Sequence, residues 1–147
     1  MTLLVAESSA SYRARLPAVI DSSVLAAFIY RENESDLAQG RMSAHILHAP
    51  VILPLEIANT AMNKLRRRSA SLEDLADRLA GFDFGTIRLL AVPPSETFSL
   101  AARFNLSAYD ASYLWLAGEL HAPLLTFDKK LGAAATEYLG QLPPKTE

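Results

Sequence analysis

Four acidic residues of this chain stand at positions where carboxylates could act together. They are Asp21, Glu56, Asp110 and Asp128. Two of the four directly follow short apolar runs, and the other two lie near the starts of predicted helices. Two carboxylates about 4 Å apart repel by about 4 kcal/mol at an effective dielectric constant of about 20. If the fold brings the four acids together, they therefore require protonation or a bound cation.

Short apolar runs alternate with helical patterns along the chain, which predicts a parallel sheet covered by helices on both faces. The predicted strands are residues 18–20, 51–53, 87–92 and 124–126. The predicted helices are residues 22–30, 34–48, 54–68, 71–82, 95–104, 106–120 and 128–138. Residues 137–142 form a poor candidate for a further strand. We predict an α/β fold, a three-layer α/β/α domain whose central parallel sheet has four to five strands.

This arrangement places the four acids at one edge of the sheet. Asp21 and Asp128 follow strands, Glu56 lies in the first turn after a strand, and the helix carrying Asp110 runs back antiparallel to the last strand. Open α/β sheets bind ligands at this carboxyl edge. Each acid also has a simpler explanation, because Asp21 and Asp128 could cap helices, Glu56 could oppose a helix dipole, and Ser107 with Asp110 approximates a capping box.

One acid lies on the apolar stripe of its predicted helix, and another begins a polar stripe opposite the core face of its helix. Asp110 shares its predicted face with the core residues Tyr113, Leu114, Ala117 and Leu120. In helix 54–68, Glu56 begins a polar stripe of Asn59, Thr60 and Asn63. The predicted core face of that helix is Leu55, Ala58, Met62 and Leu65. Helix capping alone does not require the four acids to converge.

The chain has no cysteine, so a metal would be held by oxygen or imidazole ligands. Carboxylate oxygens favour Mg²⁺ or Mn²⁺ over zinc. Such ions commonly serve phosphate chemistry, because they activate a water molecule and neutralise charge on a phosphodiester. The acids therefore predict a divalent-metal site for phosphodiester hydrolysis.

Length and composition indicate one ordinary domain. The chain has 147 residues, of which 50% are hydrophobic, and we expect residues 1–17 to be an N-terminal extension and residues 18–147 to be the domain. No apolar run approaches the roughly 20 residues of a membrane span, and no secretory signal is evident. We expect a cytoplasmic protein with no membrane association. A formal charge of -2 means that binding to nucleic acid requires a local basic patch.

Three segments together resemble PIN-domain ribonucleases, most closely the VapC-type toxins of bacterial type II toxin–antitoxin systems. These segments are VIDSS at 19–23, LPLEIANTAMNKL at 53–65 and AYDASYLWLAGELHAPLLTFDKKL at 108–131. The resemblance covers residues 18–138. It implies that Asp21, Glu56, Asp110 and Asp128 bind Mg²⁺ or Mn²⁺ and are catalytic.

The resemblance also implies neighbouring roles and partners. Ser23 and Thr126 match hydroxyl positions that could orient a carboxylate or a metal-bound water, and Ser22 competes for the role of Ser23. The implied reaction is metal-dependent hydrolysis of RNA by water. Implied partners are an RNA substrate, a cognate antitoxin whose segment covers the acidic site, and a second copy in a homodimer. The alternatives are a housekeeping RNA-processing nuclease and a catalytically silent module that binds RNA or protein.

Two basic groups are candidates for contact with RNA. Lys129 and Lys130 follow Asp128 closely enough to meet phosphate near the metal. The densest basic cluster lies at the far end of the helix that contains Glu56, and consists of Lys64, Arg66, Arg67 and Arg68. Lys64 and Arg67 could bind backbone phosphates or an acidic partner, although cations there also favour a helix C-terminus. His45 and His48 are interpreted as surface residues at the end of helix 34–48.

Two other phosphate-related classes do not fit the pattern. A haloacid-dehalogenase-like phosphatase requires a second acid two residues after Asp21, where this chain has Ser23. A response receiver requires an aspartate at the end of strand 87–92, where this chain has Pro93.

Overall fold

The structure is a computed structural model that describes Leu4 and residues 15–146. Within these residues it contains a parallel sheet of four strands: β1 (Leu16–Ile20), β2 (His45–Pro50), β3 (Arg88–Leu90) and β4 (Leu124–Leu125). The spatial order is β3-β2-β1-β4, and each neighbouring pair is parallel. The predicted parallel α/β sheet is therefore confirmed with four strands. Residues 137–141, considered for a fifth strand, belong to the last helix instead.

Seven α-helices accompany the sheet within residues 15–146. They are α1 (Ser22–Ile29), α2 (Ser35–Ser43), α3 (Leu53–Arg66), α4 (Leu72–Ala80), α5 (Pro94–Phe104), α6 (Ala108–Leu120) and α7 (Lys129–Gln141). One apolar cluster joins the sheet to α1, α3 and α4, and a second joins α5, α6 and α7. Helix α6 contributes to both clusters and packs against β1, β2 and β4. The predicted three-layer architecture is confirmed.

The second strand lies earlier in the chain than predicted. Residues 45–50 form β2, whereas the sequence pattern predicts a helix over 34–48 and a strand over 51–53. In the structure β2 runs beside β1, with Ala18 opposite Leu47, and His48 is only 7% exposed. The surface assignment of His48 is therefore wrong. Two histidines and a proline obscure the apolar pattern of β2, and pairing with β1 outweighs that local signal.

Helix α3 buries a different face from the predicted one. Leu53 and Ile57 are fully buried, whereas Leu55 is 69% exposed and Met62 is 42% exposed. Leu65, which belongs to the predicted face, and Ala61, which does not, are half-buried against the core. The helix carries two apolar stripes of similar strength, so periodicity alone could not decide which of them faces the sheet.

The chain before the sheet is only partly described. Leu16 and Pro17 already belong to β1, so the described strand begins two residues before the predicted domain boundary at residue 18. The rest of the proposed extension lies outside the described residues, except for Leu4 and Arg15. None of the helices in the described ranges is long and apolar enough to cross a membrane.

Two residues with a left-handed backbone conformation lie on either side of α6. Asn105, with φ of 53°, ends α5, and His121, with φ of 48°, ends α6. Asparagine tolerates this conformation better than most non-glycine residues. Between these turns, the Ser107 side chain caps α6 by accepting a hydrogen bond from the backbone N–H of Asp110 at 3.0 Å. The predicted cap is confirmed, and it sets Asp110 in the first turn of the helix.

Candidate active site

Two of the four acids lie at the ends of neighbouring strands. Asp21 follows β1 and is 3% exposed, and Asp128 follows β4 after a short turn. Asp21 Oδ2 accepts a hydrogen bond from the Ser23 backbone N–H at 3.4 Å, and Asp128 Oδ1 accepts one from the Leu131 N–H at 2.9 Å. Both acids are therefore helix N-caps, as their positions allowed. Capping uses one oxygen of each carboxylate.

Glu56 and Asp110 reach the same region from the first turns of α3 and α6. Burial raises the pKa of Glu56, a hydrogen bond from Tyr113 opposes this shift, and the charges of Asp21 and Asp110 raise the pKa further. Burial also raises the pKa of Asp110, and the charges of Asp21 and Asp128 add to this effect. A hydrogen bond involving Ser107 and the charge of Lys130 lower it. The acids are thus close enough to disfavour one another's ionised forms.

Two hydroxyl groups hold Asp21 in place. Ser23 Oγ donates to Asp21 Oδ2 at 2.7 Å, and Thr126 Oγ1 donates to the same oxygen at 2.9 Å. The backbone N–H groups of Phe127 and Asp128 donate in turn to Ser23 Oγ and Thr126 Oγ1, at 2.9 and 3.0 Å. Ser23, and not its competitor Ser22, makes the predicted contact. These bonds join the ends of β1 and β4 through one carboxylate oxygen.

Tyr113 is a contact of the acidic group that the sequence pattern did not reveal. Its hydroxyl donates to Glu56 Oε1 at 2.6 Å, and its side chain is fully buried. Burial and the Glu56 charge raise the pKa of Tyr113 far above its usual range, so the hydroxyl stays protonated and acts as a donor. Its position in the sequence is the one indication of this contact. Tyr113 lies three residues after Asp110 in α6, and a buried tyrosine hydroxyl needs a hydrogen-bond partner.

The oxygen atoms of this region are of the type and charge that a hard divalent cation binds. Carboxylate oxygens and hydroxyls surround the region. Burial is the main cause of the raised pKa values of Glu56 and Asp110, and neighbouring carboxylates, whose charge a cation would neutralise, raise them further. Among residues 15–146, however, no three acidic or histidine side chains lie close enough together to hold an ion as they stand. Metal binding is therefore a proposal.

The predicted RNA-binding residues fall into two groups. Lys129 and Lys130 are exposed in the first turn of α7, and Lys130 is near enough to Asp110 to lower its pKa. Lys64 forms an ion pair with Glu32, with a distance of 2.8 Å between Nζ and Oε1. That ion pair competes with the predicted contact between Lys64 and RNA. Arg67 is exposed just after the last residue of α3.

A shallow apolar groove of about 260 Å³ lies beside Asp110. Its lining carries no charged side chain and consists of Pro50, Val51, Ile52, Val92, Pro94, Thr97, Ala108, Tyr109 and Ser112. A larger cleft of about 770 Å³ lies elsewhere, between α2 and α4, with Asp36 and Arg78 in its wall. It contains none of the predicted site residues. Convergence of charge, rather than cleft size, locates the candidate site.

Known proteins resemble this chain in sequence and in fold. The PIN domain family model matches residues 18–137. Ribonuclease VapC3 of Pyrobaculum aerophilum is 30% identical over 119 residues, which cover 77% of this chain and 90% of that protein. Ribonuclease VapC9 of Mycobacterium tuberculosis is 34% identical over 122 residues, which cover 77% of this chain and 87% of that protein.

A solved structure supports the same fold. The crystal structure of PAE2754 from Pyrobaculum aerophilum superimposes with a TM-score of 0.65 and 19% identity, and the match covers 88% of this chain and 92% of that one. The family match spans most of the sheet and all four acids. The chain therefore belongs to the PIN-domain family and groups with its VapC ribonucleases.

Proposed function

We propose that this protein is a divalent-metal-dependent endoribonuclease that acts as the toxin of a toxin–antitoxin pair. The observation that carries the proposal is that four carboxylates, at the N-caps of α1 and α7 and in the first turns of α3 and α6, lie near enough to feel one another's charge. Two relatives named as VapC ribonucleases support the choice of RNA as substrate. The oxygen-only donor set supports Mg²⁺ or Mn²⁺ as the cofactor.

Each of the four acidic side chains has a proposed role in metal binding or catalysis. Asp21, Asp110 and Asp128 are the proposed ligands, and Glu56 either binds a metal or orients the attacking water. A bound Mg²⁺ or Mn²⁺ would supply activation of that water and neutralisation of phosphate charge. Ser23 and Thr126 hold one oxygen of Asp21, which leaves Oδ1 as the proposed ligand atom.

Lys129 and Lys130 are proposed to bind a phosphate of the RNA beside the cut. They are exposed directly after Asp128, and a cation there places positive charge next to the acids. The double substitution of Lys129 and Lys130 by alanine should raise KM for RNA more than it lowers kcat. An unchanged KM would contradict this assignment.

The cleavage assay uses protein freed of any copurifying partner, pooled cellular RNA, and Mg²⁺ or Mn²⁺. Asp110→Asn and EDTA should each abolish the products, whereas Asp77→Asn should cut normally because Asp77 is an exposed residue of α4 away from the site. Cleavage by Asp110→Asn at the wild-type rate would contradict the site assignment. Metal binding without any cleavage would instead favour a silent binding module.

A toxin of this kind differs from other nucleases in having an inhibitory partner protein. A cognate antitoxin is proposed to cover the acidic site and to inhibit cleavage. A housekeeping nuclease would use the same residues but would have no such inhibitor. Expression of the protein alone should arrest growth of a host cell, and coexpression of the product of an adjacent small gene should restore it. Absence of growth arrest by a protein that is active in vitro would favour the housekeeping role.

A homodimer is also proposed, through an apolar patch that includes the groove beside Asp110. Val51 and Tyr109 line the groove and are 56% and 61% exposed. Phe98 is 70% exposed and lies one turn after Pro94 in α5. Leu55 is 69% exposed and lies in the first turn of α3, four residues after Val51. Exposed apolar patches mark interaction sites. An uncharged patch is complementary to a copy of itself, as a two-fold interface requires.

A further inference from the structure

Tyr113 and Glu56 form a contact between two helices that each carry an acid of the site. The Tyr113 hydroxyl of α6 lies 2.6 Å from Glu56 Oε1 of α3, and the tyrosine side chain is 0% exposed. Tyr113 has no exposed surface with which to touch a substrate. Any effect of this residue on the reaction must therefore pass through the groups that it contacts, and Glu56 is its hydrogen-bond partner.

A purely structural role would need only a neutral acceptor. The protein contains such a case, because the buried Tyr30 hydroxyl donates to the backbone carbonyl of Ile57 at 2.8 Å, also on α3. Tyr113 instead donates to a half-buried carboxylate that feels the charges of Asp21 and Asp110. Placing a carboxylate there is unfavourable for folding, which argues that the position of Glu56 serves a function.

Asp21 shows the same arrangement from a separate set of residues. Ser23 and Thr126 both donate to Asp21 Oδ2, and Tyr113 donates to Glu56 Oε1. In each case neutral hydroxyls fix one oxygen of a carboxylate. Hydrogen bonds of this kind orient ligands and set the direction of the second oxygen.

We propose that Tyr113 is a positioning residue that fixes Glu56 Oε1, so that Oε2 is presented to the metal or to the attacking water. This inference rests on the proposed ribonuclease function. It assigns Tyr113 no contact with RNA. It also explains why a tyrosine, and not a phenylalanine, fills this core position of α6.

The test compares two matched substitutions, Tyr113→Phe and Tyr30→Phe. Each removes one buried hydroxyl that donates to α3, so both report the generic cost of losing such a hydrogen bond. We expect Tyr113→Phe to lower Mn²⁺ affinity, measured by calorimetry, or kcat by about 10- to 100-fold. KM for RNA should change by less than about two-fold, because Tyr113 is buried. Tyr30→Phe should leave the metal affinity and kcat unchanged, and melting curves should verify that both variants fold.

A double-mutant comparison separates positioning from general loosening of the core. Mn²⁺ affinity and kcat are both measured in this comparison. If Tyr113 acts through Glu56, the quantity that falls in Tyr113→Phe should fall much less when the same substitution is added to Glu56→Gln. Equal effects in the two backgrounds, or equal effects of Tyr113→Phe and Tyr30→Phe, would overturn the inference while leaving the nuclease proposal intact. Wild-type protein that neither binds Mn²⁺ nor cuts RNA would overturn the proposed function and this inference with it.

Discussion

At the scale of single residues, hydrogen bonds from groups within residues 15–146 are made to only one of the two oxygens of the Asp21 carboxylate. Asp21 Oδ2 receives hydrogen bonds from Ser23, Thr126 and the Ser23 backbone, and these bonds compensate the burial of a residue that is 3% exposed. For Asp110, burial and the charges of Asp21 and Asp128 raise the pKa. The ionised form of this proposed ligand is therefore less favourable in the folded, metal-free protein than in the unfolded chain.

The substitution Asp110→Asn should stabilise the metal-free protein while abolishing cleavage. Because the pKa of Asp110 is raised on folding, the folded protein keeps this proton to a higher pH than the unfolded chain does. The contribution of Asp110 is therefore full below the ordinary carboxyl pKa of about 3.9, and it is lost as the pH rises through the folded pKa. Melting in EDTA should show a higher Tm for Asp110→Asn near neutral pH, with the difference shrinking toward about pH 4.

Two controls test whether the change in Tm is specific to the Asp110 carboxylate. Asp77→Asn changes an exposed aspartate and should show no comparable pH-dependent gain in Tm. Added Mn²⁺ should raise the Tm of the wild type more than that of Asp110→Asn, because only a state that binds the ion is stabilised by it. A lower Tm for Asp110→Asn at neutral pH in EDTA would show that this carboxylate stabilises the fold.

At the scale of elements, the sequence predicted best where local signals agree. Ser107 caps α6 as expected, and Tyr113, Leu114 and Ala117 are buried along the predicted face. Strand β2 was missed because its polar His45 and His48 are accommodated by pairing with β1, which lies about 30 residues away in sequence. The Tyr113 bond to Glu56 spans 57 residues, so no local pattern could reveal it.

Helix α3 offers a direct test of which apolar stripe holds the core together. Ile57 is fully buried and Met62 is 42% exposed, although periodicity predicted Met62 as a core residue. Ile57→Ala should lower the free energy of unfolding by about 2–5 kcal/mol, because it leaves a cavity. Met62→Ala should cost less than about 1 kcal/mol. Urea unfolding of the two variants measures both values, and a larger loss for Met62→Ala would reverse the assignment of the buried face.

At the scale of the whole molecule, the net charge is small but the charged residues are unevenly distributed. The formal charge is -2, yet the acids gather at one edge of the sheet, and Lys129 and Lys130 lie beside them. Next to this charged region, the groove lined by Val51 and Tyr109 carries no charged side chain. Composition indicates that nucleic-acid binding would need a local basic patch. It could not predict the uncharged groove beside Asp110, since the groove combines residues from β2, α5 and α6 and the turns beside them.

The apolar patch predicts how the oligomer responds to a single charge. Phe98→Asp should convert the proposed dimer into a monomer, because two symmetry-related carboxylates would enter an apolar interface without partners. Leu72→Asp is the matched control, since Leu72 is 67% exposed but begins α4, outside the patch. Light scattering coupled to size exclusion measures both masses. A wild-type monomer at micromolar concentration would contradict the proposed homodimer. A Phe98→Asp variant that stays dimeric would show that the dimer forms through another surface.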